Sequence, residues 1–126
     1  MIAIPTFDGG QSTAELAVLL PALMILTLLV VQVGLVARDQ VVVHHAVGEA
    51  ARRAATDPSE ATATAGAEDA APALDPSRLT VGLSGSRGSG DLLTVSVEYR
   101  SATGVPLVGA LIGDIDLSTT AVVRIE

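Results

Sequence analysis

Glu15 is a carboxylate that comes directly before a long apolar stretch and five residues after Gly10. In the first turn of a helix such a carboxylate interacts favourably with the positive end of the helix dipole, and Ser12 or Thr13 can cap the helix. A glycine at this distance from a glutamate, directly before a charge-free helix, also fits a site where the bond after the glycine is cut. The spacing therefore leaves two interpretations open, a helix start and a processing site.

Two further groups of residues have the chemistry of metal ligands. His45 and Glu49 share one face of a predicted helix and His44 is adjacent, but a zinc site needs a third ligand and none is near in the sequence. Asp114 and Asp116 lie where a predicted strand begins, and the glycine and final glutamate of a calcium-binding loop are missing. A solvated polar face and a turn explain these residues, so no metal site is predicted.

Nothing in the sequence indicates catalysis. Residues 84–90, SGSRGSG, are rich in glycine but have neither the lysine nor the spacing of a phosphate-binding loop. No serine or histidine has the surroundings of a nucleophile site. We therefore predict no catalytic residue, no cofactor and no small-molecule substrate, and we expect that the protein is not an enzyme.

The composition excludes nucleic acid as a partner. The chain has 126 residues, a net charge of −7, seven basic residues that are all arginine, and 14 acidic residues. This balance repels phosphate backbones, and Phe7 and Tyr99 are too few aromatic residues to stack bases. The length allows one small domain, and the absence of cysteine excludes disulfides and thiolate metal sites.

The apolar stretch, residues 16–37, predicts a single transmembrane helix. It has no charged side chain, and Thr27 and Gln32 are its only polar residues. A helix of this length covers about 33 Å, which matches a hydrocarbon core of about 30 Å. The stretch is too long for the core of a cleaved signal sequence, which is about 7–15 residues. A small soluble domain could not cover such a helix on all sides.

The helix is expected to continue beyond the membrane to about residue 56, where Asp57 and Pro58 end it. Glu49 and Arg53 are spaced for an ion pair. An apolar stripe and an opposite polar stripe recur at helical spacing. The apolar stripe consists of Val36, Val43, Val47, Ala50 and Ala54, and the polar stripe of Arg38, His45, Glu49 and Arg52.

The remainder of the chain predicts a linker and a small sheet. Residues 59–73 are rich in alanine, threonine and acids, which fits either a short helix or a disordered segment. Residues 79–83 and 93–99 alternate apolar and polar side chains around the turn at 84–90, as in a β-hairpin, and residues 117–125 are a third candidate strand. Residues 105–112 are apolar and either close the core or form an exposed contact surface; we favour core closure.

These elements predict an α+β fold: a long N-terminal transmembrane helix that continues as an amphipathic helix, followed by an antiparallel sheet of about three strands. The predicted divisions are a leader, the transmembrane helix, its continuation, an acidic linker or short helix, and a small β domain. Their bounds are residues 1–10, 11–37, 38–56, 57–77 and 78–126.

Three stretches of the chain together resemble the TadE-like family, pilin-like proteins of the tight-adherence (Flp) pilus system. The first, GGQSTAELAVLLPALMILTLLVVQVG, contains Gly10, Glu15 and Pro21. The second is VGEAARRAA, which follows the membrane helix, and the third is the terminal TTAVVRIE. These stretches lie in the same order as in the family and cover about a third of the chain.

The resemblance implies a minor pilin-like (pseudopilin) subunit for the assembly of a tight-adherence type IV pilus. It implies that a prepilin peptidase cuts between Gly10 and Gln11, and that Glu15 acts in assembly. The implied partners are the membrane, other pilin-like subunits and the pilus assembly machinery, with the protein held in the cell membrane by one span and its C-terminal domain outside the cytoplasm. The alternative is an uncleaved, signal-anchored extracytoplasmic binding protein.

The charges that flank the apolar stretch depart from the family pattern. Residues 1–10 contain Asp8 and no basic residue, whereas Arg38 follows the stretch. Counted literally, the positive-inside rule places the C-terminal domain in the cytoplasm. The resemblance implies the opposite orientation, so the topology has to be measured.

Overall fold

The computed structural model describes residue 2 and residues 9–126, and within these it contains three α-helices and one three-stranded sheet. The elements are α1 (Gly9–Thr56), α2 (Glu60–Ala70), a 3₁₀ turn (Pro76–Arg78), β1 (Leu79–Gly85), β2 (Leu92–Ser101), α3 (Val108–Ile112) and β3 (Ile115–Arg124). The predicted α+β fold, a long N-terminal apolar helix before a small antiparallel sheet, is confirmed.

Helix α1 is one continuous element that runs through Pro21 and joins the apolar stretch to the domain. It begins at Gly9, so Ser12 and Thr13 lie inside the helix and the prediction that one of them caps it is wrong. The helix ends at Thr56, directly before Asp57 and Pro58, as predicted. A proline cannot continue a helix without losing a backbone hydrogen bond, which explains the position of this end.

The second half of α1 forms one side of the core. Of the predicted apolar stripe, Val43, Val47, Ala50 and Ala54 are buried, and Val36 is partly buried against the same cluster. The predicted ion pair is present, with Arg53 Nε 3.1 Å from Glu49 Oε1. The 3.6-residue periodicity of the sequence therefore identified the buried face of α1 correctly.

Residues 59–73, for which the sequence left helix or disorder open, contain α2. The hydroxyl of Ser59 accepts a hydrogen bond from the Thr62 N–H at 3.2 Å, which caps the helix N-terminus. Arg53 also donates from Nη1 to Asp69 at 2.8 Å, so that α1 and α2 are joined. Hydrogen bonds to Asp69 and then Glu49 raise the pKa of Arg53.

Gly66 of α2 lies directly against α1. A Cβ built on Gly66 would lie 2.9 Å from Cδ of Arg53, 3.2 Å from the backbone oxygen of Glu49 and 3.3 Å from Cα of Ala50. The arginine can move aside, but the backbone of α1 cannot do so without separating the helices. A side chain at position 66 therefore has no room in this packing.

We expect Gly66→Val to lower the free energy of unfolding of the domain by about 1–3 kcal/mol, the usual effect of overpacking. The matched control is Gly48→Ala, in α1, where a Cβ meets nothing within 4 Å. It should raise stability by up to about 1 kcal/mol through helix propensity. Tyr99 is buried and is the only tyrosine of a chain without tryptophan, so its fluorescence reports domain unfolding in a denaturant titration. An unchanged midpoint for Gly66→Val would contradict the close approach.

The sheet is antiparallel, with strand order β1-β2-β3. Its inner face packs on α1 and α2. The buried apolar side chains that β2 contributes to this face are Leu93, Val95, Val97 and Tyr99. The predicted hairpin is confirmed, with Val81 opposite Val97, and the third strand begins two residues earlier than predicted, at Ile115. Alternation of apolar and polar residues thus predicted which side of each strand faces the helices.

Two contacts fix the direction of the sheet along α1. The Glu126 N–H donates to the Ala55 oxygen at 3.0 Å, so β3 ends beside the end of α1. At the other end of the sheet, the Ser101 hydroxyl donates to the Asp39 carboxylate at 2.7 Å. The end of the sheet with Ser101 therefore lies toward the apolar half of α1.

Residues 105–112, for which core closure was favoured, divide between the two alternatives. Val105 and Val108 are buried, but neither joins the main hydrophobic cluster. Leu107, Leu111 and Ile112 are exposed. Closure of the core therefore accounts for only part of this segment.

Candidate processing and assembly site

The first turn of α1 carries the predicted processing residues. Gly10 is exposed, its backbone is not in the left-handed region, and a Cβ there would meet nothing within 4 Å. Glycine in a helix costs roughly 1 kcal/mol relative to alanine. Within the part of the chain that the structure describes, there is therefore neither a packing nor a conformational reason for glycine at position 10.

Gln11 and Glu15 lie one helical turn apart on the same side of α1, because residues four apart in an α-helix are neighbours, about 6 Å apart along the axis. Glu15 is exposed. A cut between Gly10 and Gln11 would create an α-amino group one turn before this carboxylate. Most of the predicted leader, residues 1–10, lies outside the described residues.

The part of α1 that follows is apolar and is left uncovered by the domain. Ser12–Thr56 contains a window long and apolar enough to cross a bilayer, and 6% of that window is buried. The core helix of a soluble protein would be covered by its own domain. The large apolar side chains that remain exposed here include Leu16, Val18, Leu19, Leu20, Leu23, Met24, Val30 and Val33.

The two polar residues of the apolar stretch differ in their hydrogen bonding. The Thr27 hydroxyl donates to the Leu23 oxygen, one turn earlier, at 2.9 Å. Gln32 is buried, 3% exposed, and its amide nitrogen and oxygen have no partner among the described residues. The sequence did not predict the burial of Gln32, because no local pattern indicates which other segment covers a given position of a helix.

The other candidate ligands are exposed or engaged with arginine. Glu49 accepts from Arg52 at 2.6 Å and from Arg53 at 3.1 Å, while His44 and His45 are exposed. Within residue 2 and residues 9–126 there is no group of three or more histidine, cysteine, aspartate or glutamate side chains placed to hold a metal ion.

The two aspartates near the start of β3 have a structural role. Asp116 accepts from Arg100 Nε at 3.1 Å, across the β2–β3 pair. Asp114 accepts from Arg78 at 3.4 Å and from the Thr103 N–H at 3.4 Å. These contacts join neighbouring segments at one end of the sheet, in keeping with the turn that the sequence predicted there.

The comparison with known protein families agrees with this arrangement. No curated protein and no solved structure matches the chain significantly. The terminal stretch 119–126, which contributed to the predicted resemblance, lies outside the family match. A model of the family described as TadE-like protein matches residues 10–52, from the predicted processing glycine to Arg52, and confirms the resemblance to the TadE-like family over this part of the chain.

Proposed function

We propose that this chain is a minor pilin-like (pseudopilin) subunit for the assembly of a tight-adherence type IV pilus. The main support for the proposal is the order of three features along α1. Gly10 is a glycine for which the described residues give no packing reason, Glu15 follows at the spacing of a pilin precursor, and a long uncovered apolar helix comes next. The family match covers these same features.

In this function the protein is made as a precursor and inserted by α1. A prepilin peptidase then removes residues 1–10 by cutting the Gly10–Gln11 bond on the cytoplasmic side. The new α-amino group of Gln11 and the Glu15 carboxylate form the assembly site. Other pilin-like subunits and the assembly machinery of the pilus are the partners, and they meet the chain through its apolar helix.

The test is the intact mass of the protein purified from membranes, with and without the matching peptidase. The proposal expects full-length protein without the enzyme and a species that begins at Gln11 with it. A chain that keeps its first ten residues in the presence of the enzyme would instead fit the alternative, an uncleaved signal-anchored extracytoplasmic binding protein. The measurement therefore separates the two functions directly.

The proposed orientation places the domain after α1 outside the cytoplasm, against the literal count of arginines. Ser86 lies in the exposed turn between β1 and β2, so Ser86→Cys introduces a single accessible thiol into a chain that has no cysteine. We expect a membrane-impermeant maleimide to label this thiol in cells whose inner membrane is intact. Labelling only after that membrane is opened would show that the domain is cytoplasmic.

A further inference from the structure

The connection between β2 and β3, residues 102–114, leaves the sheet at the end that faces the apolar stretch. Ser101 and Ile115, the residues on either side of it, are paired across the two strands. Ser101 is also bonded to Asp39, two residues after the apolar stretch ends. The connection therefore begins and ends at the level where α1 enters the domain.

The connection also packs on α1. Its helix, α3, contacts α1. Gln32 is buried although Val31 and Val33 on either side are exposed, and a helical side chain becomes buried in this way only where another part of the chain covers it. Gln32 lies about 10 Å before Asp39 along the helix axis. The burial of Gln32 and the contact of α3 with α1 together indicate that the domain covers α1 for about 10 Å on the N-terminal side of Asp39.

The side chains of residues 105–112, VPLVGALI, have the character of a lipid-facing segment. None carries a charge or a hydrogen-bonding group. Val105 and Val108 face the protein, whereas Leu107 (57% exposed), Leu111 (80%) and Ile112 (52%) face away from it. An exposed apolar cluster of this kind is unfavourable in water and marks a contact with another apolar phase.

Part of the backbone of this segment is hydrogen-bonded within the segment, which lowers the cost of moving it out of water. The Gly109 N–H donates to the Val105 oxygen and the Gly113 N–H to the Gly109 oxygen, each at 3.1 Å. The Thr103 hydroxyl donates to the Gly113 oxygen. Leu107 has a φ of 68°, a backbone conformation that is strained for a bulky side chain. Keeping a leucine exposed in this conformation therefore costs conformational free energy.

We propose that residues 105–112 insert into the bilayer that α1 spans, in the leaflet on the side of the domain. Leu107, Leu111 and Ile112 would contact acyl chains, while Thr103 and Asp114 lie at the headgroups. The proposal rests on α1 being a membrane span, which is part of the proposed function. With α1 it gives the domain a second attachment, which fixes how the sheet faces the membrane.

The surface around the exposed apolar cluster of Leu107, Leu111 and Ile112 indicates that the cluster contacts lipid and not a second protein chain. The exposed face of α1 beside it is apolar over the whole stretch and belongs to the predicted span. Protein interfaces draw their affinity mainly from tryptophan, tyrosine and arginine, and residues 105–112 contain none of these. The cluster is thus continuous with a lipid-facing surface and lacks the anchors of a protein-facing one.

The test uses the full chain in lipid vesicles, with an environment-sensitive fluorophore on one introduced cysteine at a time. The positions are Leu111, Leu23 in the middle of the apolar stretch, and Val122, which is 64% exposed on the outer face of the sheet. Val122 is the matched control because it is an exposed apolar side chain outside residues 105–112. Quenchers attached to lipid acyl chains then report which fluorophores lie in the bilayer.

We expect strong quenching at Leu23 and Leu111, and several-fold weaker quenching at Val122. Quenching at Leu23 but not at Leu111 would overturn the insertion of residues 105–112 and leave the proposed function intact. A Leu111 fluorophore that is shielded from water only at high protein density, without lipid quenching, would point to a second chain and also overturn it. Weak quenching at Leu23 would instead remove the membrane span on which both proposals depend.

Discussion

Glu15→Ala and Glu15→Gln are expected to insert into the membrane and to be cut after Gly10, but to fail to assemble with other pilin-like subunits. In the proposed assembly the Glu15 carboxylate meets the α-ammonium group of a neighbouring subunit near the apolar boundary. Burial of either charge alone is costly, whereas the pair compensates in a medium of low dielectric. Loss of one member of a buried pair costs about 3–5 kcal/mol, a reduction in association of roughly two orders of magnitude or more.

The two substitutions separate charge from shape. Glutamine keeps the size of the side chain and removes the charge, so it should fail as alanine does. Helix α1 begins at Gly9, so Glu15 lies beyond its first turn and the expected interaction with the helix dipole is weak there. If Glu15 had only this role, each change would cost less than about 1 kcal/mol of local stability, and assembly would survive. Glu60→Gln is the matched control, because Glu60 is an exposed acid in the first turn of α2, within the domain.

The measurement is co-purification of each variant with the other pilus components at equal membrane levels. Wild-type protein and Glu60→Gln should recover the partners equally, and both Glu15 variants should recover almost none. Normal recovery with Glu15→Gln would rule out the charge pair. Intact masses of the same samples show whether the variants were processed, so that a failure of cleavage is not mistaken for a failure of assembly.

Gly10→Leu is expected to abolish removal of residues 1–10. In the proposed processing the residue before the cut fits a tight site in the peptidase, and a leucine side chain would be too large for that site. Among the described residues a Cβ at position 10 would meet nothing within 4 Å, so we expect the substitution to leave the packing of the domain unchanged. Only the full-length mass should be found when the peptidase is present.

A loss of cleavage in Gly10→Leu could also come from a stiffer helix, because replacing glycine stabilises the first turn of α1 by up to about 1 kcal/mol. Gly10→Ala separates the two, because alanine is the better helix former but the smaller side chain. If size decides, alanine permits more cleavage than leucine; if stiffness decides, alanine inhibits at least as much. Gly34→Leu adds the same side chain at another open position of α1 and should be cut normally. Cleavage of Gly10→Leu at the wild-type rate would remove Gly10 from the site.

Local patterns in the sequence determined most of the fold. The charge-free stretch predicted the long apolar helix, because length and hydropathy alone decide whether a helix can cross a bilayer. The spacing of Val43, Val47 and Ala50 predicted the buried face of α1, and alternation in 93–99 predicted the inner face of β2. Gly10 and Glu15 were also chosen from spacing alone, and their roles remain proposals.

The tertiary structure decided the features that depend on residues distant in sequence. Helix α2 could not be told from disorder because its alanines gain stability only by packing on α1, where Gly66 permits the close approach. The capping pattern also failed to predict the start of α1, which lies at Gly9 and not after Ser12 or Thr13. A capping residue predicts a helix start only when the preceding residues are not helical themselves.

Residues 105–112 show most clearly what a local sequence pattern cannot predict. Their composition predicted an apolar contact but could not specify whether it is internal or external. That is decided by the pairing of Ser101 with Ile115 and by the hydrogen bond from Ser101 to Asp39, which lie 62 residues apart in the chain. These contacts hold both ends of the connection near Asp39, two residues after the apolar stretch of α1. Position relative to another element is a long-range property that no local periodicity encodes.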